Sequence, residues 1–320
     1  MQFSLRQLRY VVAAAEAGNL TEAARHLSVS QPSVSSAIAE LETAVGANLF
    51  IRHHARGVTL TPVGERIVNE ARLLLKHASD FGQSAAELSG ALKGEIVVGC
   101  FLTLAVRFMP VLLARFAQIH PGITVRLQEG DQEELIGMLH AGRTELALAY
   151  SFALPEDLLA QPLTELPPHA VVAADHRLAN RDRISLRDLA DDPYILLDLP
   201  FSRDYFFGLF HTVGIEPRIV FRSRSQELIR GLVAHGHGFA IQNAIAGSNI
   251  TYDGASVAML PLDPQLTPTR ITLLRHRQFP LRPAVQAFEA FLHDSFGPQG
   301  AFARGLIAPP RIDRMERRLP

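Results

Sequence analysis

Residues 20–45, LTEAARHLSVSQPSVSSAIAELETAV, decide how the rest of the chain is read. Leu20, Ala23, Ala24 and Leu27 recur at the spacing of a two-turn helix with one buried face. Ser28-Val29-Ser30 interrupts the pattern, with Val29 placed to plug the gap between two helices. A second apolar series, Val34, Ile38, Leu41 and Val45, is spaced 4, 3 and 4 and predicts a longer amphipathic helix. Ser30 is its natural N-cap, and Pro32 falls in the first turn, where a missing N–H loses no hydrogen bond. Two helices joined by three or four residues, with small alanines at the crossing, describe a helix-turn-helix. The second helix would present Gln31, Ser33, Ser35 and Ser36 at its start, side chains suited to base edges and phosphates in a major groove. Taken alone, the stretch also fits an ordinary helical hairpin with a polar surface.

The flanking residues favour the first reading. Ser4 to Ala17 predicts a helix with Leu5, Leu8, Val11, Val12 and Ala15 inward, stopped by Gly18-Asn19, which gives the pair its third wall. Downstream, Leu49-Phe50-Ile51 and Val58-Thr59-Leu60 flank Arg52-His53-His54-Ala55-Arg56-Gly57, a hairpin with a basic tip. Such a tip usually sits in solvent, but beside this helix pair it is placed to reach phosphates or the minor groove. The field is local, because residues 1–66 carry six arginines against five glutamates and the chain's formal net charge is −1.

Pro62 opens a long helix. Val63, Ile67, Ala71, Leu74, Ala78, Phe81, Ala85 and Leu88 are spaced 4, 4, 3, 4, 3, 4 and 3, a heptad-like seam. Such a helix spans ~40 Å and fits a partner helix, with packing on its own domain as the alternative. A dimer suits the DNA reading, since two half-sites a helical turn apart need two heads. Gly90 and Gly94 then form a joint.

From Glu95 the pattern alternates. Candidate strands are Glu95–Gly99, Ile123–Gln128, Leu146–Tyr150, Ala170–Ala174, Tyr194–Leu197, Ile219–Arg222, Phe239–Gln242 and Ile271–Leu274. Amphipathic helices between them, clearest at Thr103–Ile119 and Gln132–His140, predict a mostly parallel sheet covered on both faces. There is room for two such subdomains, with a ligand beyond the strand C-termini. No GxGxxG or GxxxxGK[ST] motif is present. From Gly297 onward, four prolines and five arginines predict a mobile tail.

Composition of 48% hydrophobic and 20% charged residues is that of a globular protein. No leader precedes the first helix and no run approaches the ~18 to 20 apolar residues of a membrane span. The expectation is a cytosolic protein without a membrane partner. The single cysteine, Cys100, excludes an intrachain disulfide and a cysteine-rich zinc site. It reads as a small buried hydrophobe, with a one-cysteine sulfenic switch left open. His169, His235 and His237 read as scattered histidines, so no metal and no cofactor is expected.

The stretch LRQLRYVVAAAEAGNLTEAARHLSVSQPSVSSAIAELETAVGANLFIRHHARGVTLTPVGE resembles the winged helix-turn-helix of LysR-type transcriptional regulators. SQPSVSSAIAELE, LF-R and G-TLTPVG fall in the family's order and spacing, and the likeness runs from about Phe3 to His293. The resemblance implies an α/β chain with a winged helix-turn-helix at 1–61 and a dimerising linker helix at 62–90. A two-lobed effector domain, similar to type 2 periplasmic binding proteins, follows at 91–296, and then the tail at 297–320. It also implies a non-enzymatic homodimer, often a dimer of dimers, on pseudo-palindromic promoter DNA. A small molecule between the lobes then changes DNA bending and RNA polymerase recruitment.

Position by position, Gln31, Pro32, Ser33 and Ser35 match the family's recognition-helix start, and Arg52 and Arg56 its wing. Ser36-Ala37 departs from the longer polar or basic pair common there. Thr103 matches a pocket threonine at a helix N-terminus, where an anion is favoured, with a plain N-cap as the alternative. Gln132 matches a polar pocket position, and Pro200, Phe201 and Ser202 fall near the crossover between lobes. Asn243 stands where the family frequently has proline. The expected pocket is Cys100, Thr103, Gln132, Phe201 and Ser202, with Arg203 or Arg224 as bidentate partner of a small organic acid. Three other readings stay open: a two-lobed solute-binding or transferase-like protein, an architectural DNA-binding protein, and a one-cysteine redox regulator.

Overall fold

Ser4 starts the first helix, α1 (Leu5–Ala17), with a reciprocal cap: its hydroxyl accepts the Gln7 N–H and the Gln7 carboxamide accepts the Ser4 N–H. The computed structural model describes residues 3–53, 57–87, 92–263, 266–277 and 281–302. By its contacts the chain forms two units, Met1–Gly94 with Gly137–Glu145, and Glu95–Ile136 with Leu146 onward.

In the first unit α1 buries Leu8, Val11 and Ala14, whereas Leu5, expected inward, is exposed. Asn19 caps α2 (Leu20–His26), and Ser30 caps α3 (Gln31–Val45) by accepting the Ser33 N–H. Between these helices Ser28 takes a left-handed φ of 55° and Val29 packs on the core, as its position predicts. The buried stripe of α3 is Val34, Ala37, Ile38 and Leu41. Val45 is exposed: Ala37, at +3 from Val34 and −4 from Leu41, completes the stripe that Val45 was expected to extend.

β1 (Phe50–His53) and β2 (Gly57–Leu60) pair antiparallel, Phe50 opposite Leu60 and His53 opposite Gly57. The Glu42 carboxylate ties this hairpin to α3 by accepting the Leu49 and Phe50 N–H groups at 2.7 and 3.2 Å. α4 (Pro62–Glu87) follows, its first turn capped by the Thr61 hydroxyl, which accepts the Gly64 N–H at 2.9 Å. The expected seam divides. Ile67 and Ala71 join Val68 and Leu75 against the head's own core, while Val63 and Leu74 stay 45% and 41% exposed. A helix facing its own core on one side can keep only part of a heptad seam for a partner. The Phe81 and Ala85 side chains and Leu88 lie outside the described positions, as do residues 88–90 of the expected linker.

The second unit runs through β3 (Gly94–Phe101), α5 (Leu102–Ile119), β4 (Ile123–Gly130), the start of α6 (Gln132–His140), which from Gly137 on groups with the first unit, β5 (Leu146–Tyr150) and β6 (Leu158–Leu166). It continues with β7 (His169–Ala173), β8 (Tyr194–Leu197), α7 (Ser202–Val213), β9 (Ile219–Ser223), α8 (Gln226–Ala234), β10 (Ala240–Gln242) and β11 (Val257–Pro261), and closes with β12 (Thr269–His276) and α9 (Pro283–Phe296). The first lobe holds a five-stranded sheet in the order β4-β3-β5-β12-β6. The second holds β10-β7-β11 and the pair β8-β9, joined by a bridge between Tyr194 and Phe239. The chain passes between lobes at Leu166–His169 and again from β11 to β12.

The sheets are mixed, not mostly parallel. β3 and β5 run parallel, as do β8 and β9, but β12 is antiparallel to β5 and β6, and β7 to β10 and β11. Strands β6 and β11 escape the sequence reading. β6 carries Pro162 on an edge, where a ladder N–H is dispensable, and a register shift between Ile271 and Thr272 accommodates it.

α5 also corrects the membrane expectation: its 18 residues, with a mean hydropathy of 1.5, reach the length and apolarity of a span. In this fold Leu104, Phe108, Leu112 and Phe116 bury one face of it in the lobe core, and Arg107 and Arg115 interrupt it. The stretch expected as a tail starts with packed residues. Phe302 is buried against Phe108 and Phe296, with ring centroids 5.0 and 5.2 Å away, and of that stretch residues 303–320 lie outside the described chain.

His169 sits at the first lobe crossing, fully buried, with Nδ1 3.0 Å from the Pro167 carbonyl oxygen and no partner for Nε2 among the described residues. Burial holds its pKa below the usual 6.5. A buried imidazole that resists its second proton stabilises the fold fully above about pH 6.5, and that contribution falls as pH drops below it, because the unfolded chain then binds the proton first. Urea unfolding of wild type and His169→Asn across pH 5 to 8 should show a steeper acid loss in the wild type. Parallel curves would refute it.

Candidate DNA-contacting face and inter-lobe cleft

The start of α3 presents Gln31, Pro32, Ser33 and Ser36 to solvent, with Ser35 half-buried. Ser33 is partly committed, because its hydroxyl lies 2.7 Å from that of the capping Ser30. Gln31 and Ser36 are therefore the side chains best disposed to reach outward. Arg52 is exposed on β1 opposite Val58, while Arg56 lies outside the described residues.

In the second unit a cleft separates the two lobes. Phe101, Thr103, Tyr150 and Phe152 wall it from the first lobe, and Ser202, Tyr205, Gln226 and Gln242 from the second. Its inner compartment is only about 20 Å³, room for roughly one water. A neighbouring outer compartment of about 520 Å³, the size of a small-molecule site, shares Gln226 and Ala244 with it. Thr103 lines both.

Polar groups in the inner wall are mostly locked to one another. The Thr103 and Tyr150 hydroxyls lie 2.9 Å apart, and burial pushes the Tyr150 phenol up, so it stays neutral. The Asn243 amide donates to the Leu166 carbonyl at 2.9 Å and to the Tyr205 hydroxyl at 2.8 Å. Tyr205 in turn donates to the Thr267 carbonyl at 3.0 Å, and burial raises its pKa to about 12. The Phe152 and Tyr205 rings meet across the cleft, 5.3 Å between centroids.

Of the residues expected here, Thr103 and Ser202 line the inner compartment. Phe101, not Thr103, caps α5 and offers no side-chain bond, which leaves the first amides of α5 without a side-chain acceptor. Ser202 reaches the cleft because Phe201 takes a φ of 61°, and the Ser202 N–H donates back to Pro200 at 2.8 Å. That same turn places Phe201 outside the cleft lining, 37% exposed.

Cys100 is wholly buried and lines neither compartment. Burial, with Glu129 nearby, raises its thiol pKa well above the usual value, which suppresses the thiolate that oxidation needs. Gln132 lies behind the cleft wall, where its Nε2 donates to the Tyr150 and Phe152 carbonyls at 3.0 and 2.9 Å and braces the chain carrying both rings. Arg203 pairs with Asp198 at 2.7 Å away from the cleft. Arg224 reaches only the outer compartment and is held by Asp131 at 2.8 Å. The expected bidentate arginine is thus absent from the inner wall. Tyr150, Phe152, Tyr205, Gln226 and Gln242 were missed, being scattered over separate segments; the one sequence signal was the polar Gln242-Asn243 ending an apolar strand.

Residues 5–65 match the family described as bacterial regulatory helix-turn-helix protein, lysR family, and residues 89–297 match the LysR substrate binding domain. The chain belongs to the LysR family. Among solved LysR-family structures, HinK from Pseudomonas aeruginosa is 36% identical, with a TM-score of 0.63 over 92% of this chain and 99% of that one. CbnR, solved in complex with its target DNA, is 25% identical with a TM-score of 0.64, covering 91% of this chain and 99% of that one. A hydrogen peroxide-inducible genes activator of Dickeya chrysanthemi is 28% identical over 76% of this chain and 80% of its own. This LysR-type transcriptional regulator therefore joins a DNA-binding helix-turn-helix to an effector-binding domain.

Proposed function

We propose that this LysR-type regulator acts in the cytosol as a homo-oligomer that binds a pseudo-palindromic promoter site through α3 and the wing. A small molecule in the inter-lobe cleft resets that binding and with it RNA polymerase recruitment. The observation that carries the effector reading is the Phe152–Tyr205 contact: its two rings belong to different lobes, so a molecule between them must change the lobe spacing. Cleft walls of aromatic and hydroxyl groups, with no nucleophile–base pair in use, support a sensor over a transferase. The peroxide response named for the Dickeya relative does not transfer by a disulfide route, because Cys100 is the only cysteine and is buried.

Assembly is supported by the exposed apolar side chains of α4, Val63 and Leu74. Full-length protein should protect two half-sites about one helical turn apart. Leu74→Asp, which would put a charge into a desolvated helix seam, should convert the oligomer to monomer by light scattering and lose the paired footprint. An intact oligomer carrying Asp at this position would sink the assignment of α4 as the dimer seam.

A further inference from the structure

The inner compartment holds two buried polar groups with no partner among the described residues, the Gln242 Nε2 and the Thr269 hydroxyl. Both residues are almost wholly buried, at 2% and 3% exposed. The identity of the first as a donor is fixed by its neighbours. The Ala244 carbonyl can only accept, so the Gln226 atom 2.8 Å from it must be the amide nitrogen. That nitrogen also donates to Gln242 at 3.0 Å, so the Gln242 atom it meets is the oxygen, and the Gln242 amide nitrogen turns the other way. A buried donor left unmade is costly, so the site awaits an acceptor oxygen.

Charge narrows the acceptor. Asp, Glu, Lys, Arg and His are all missing from the residues lining the inner compartment. The cations of the outer compartment are engaged: Arg224 with Asp131, Arg230 with the Ser248 carbonyl at 2.7 Å, and Arg107 with the Ile245 carbonyl at 3.0 Å. Glu129 adds negative charge there. A carboxylate carried into the inner compartment would be desolvated without a counter-charge. The first amides of α5 supply only a fraction of a charge, enough to polarise a carbonyl. The remaining wall is aromatic, with Phe152 and Tyr205 facing each other in a tilted pair.

We propose that the inner compartment takes an uncharged aromatic carbonyl compound, its ring spreading Phe152 from Tyr205 and its oxygen accepting from Gln242 and Thr269. This rests on the cleft being the effector site, and it replaces the organic acid and its arginine partner with a neutral ligand. The 20 Å³ now open fits the same picture, since a ring enters only as the lobes part.

The test is calorimetry of full-length protein with acetophenone, benzamide and benzoate, three probes of one ring size. Acetophenone and benzamide should bind at least ten-fold more tightly than benzoate. Gln242→Glu and Thr269→Val, each checked for an unchanged melting temperature without ligand, should each weaken acetophenone at least ten-fold. Benzoate binding as tightly, with the same dependence on Gln242, overturns the neutral class and leaves the cleft as effector site. Binding that ignores both substitutions, or no binding by any probe, overturns the proposal. An intact promoter footprint in that case separates its failure from failure of the regulator reading.

Discussion

Gly64→Ala will unfold the DNA-binding head and leave the effector unit's melting transition in place. A Cβ at Gly64 would lie 2.0 Å from the Leu49 carbonyl oxygen and 2.9 Å from its carbon, both backbone atoms that no rotamer change can move. The same oxygen accepts the Thr61 N–H at 3.0 Å, and the Thr61 hydroxyl caps the helix in which Gly64 sits. Relief of the clash therefore has to separate α4 from the strand entering the wing, and that breaks the bond and the cap together. A loss of 4–5 kcal/mol or more, the range of severe single substitutions, would consume most of the ~5–15 kcal/mol of a typical domain. Gly208→Ala is the control, since nothing lies within 4 Å of its Cβ and its helical φ suits alanine. It should stabilise the effector unit by about 0.5–1 kcal/mol. Calorimetry of the full chain reads both: Gly64→Ala should lose the head transition and all promoter binding. A variant that still footprints its site would show that α4 and the wing can part freely.

Gly64 also shows what the sequence carried and what it withheld. The G-TLTPVG run is visible as a motif, but nothing in it says that Gly57 and Gly64 are there for backbone contact: a Cβ at Gly57 would fall 2.1 Å from the Gly18 carbonyl. The helix-turn-helix was legible because its caps and apolar spacing are local, down to Ser30 and Val29. The effector domain was legible only as a class. Its strand β12 pairs antiparallel with β5 and β6 after more than a hundred intervening residues, and no short-range period reports that direction. Site residues fared by the same rule. Thr103, carried over from the family resemblance, lies at a helix start and lines the cleft. Arg203 and Arg224 are held by Asp198 and Asp131, partners that the fold defines and sequence spacing does not.

Gln31→Ala and Arg52→Ala should separate base reading from backbone holding on the same promoter. Gln31 stands exposed at the first residue of α3, beside a cap that spends the Ser30 and Ser33 hydroxyls on each other. Its carboxamide is the longest polar group at that helix start, with the two-sided donor and acceptor geometry that pairs with adenine in a major groove. Removing it should cost about 1–3 kcal/mol at the specific site, ten- to a hundred-fold, with little change on unrelated DNA. Arg52 lies on a hairpin strand, exposed, and its charge suits phosphate. Arg52→Ala should weaken specific and unrelated DNA alike and reduce the salt slope by about 0.9 for each phosphate the arginine had neutralised. Titration of both variants against the promoter and a scrambled duplex, between low and moderate salt, reads the two effects separately. If Gln31→Ala weakened both duplexes equally, or Arg52→Ala left the salt slope unchanged, α3 and the wing would have exchanged or lost the roles assigned to them.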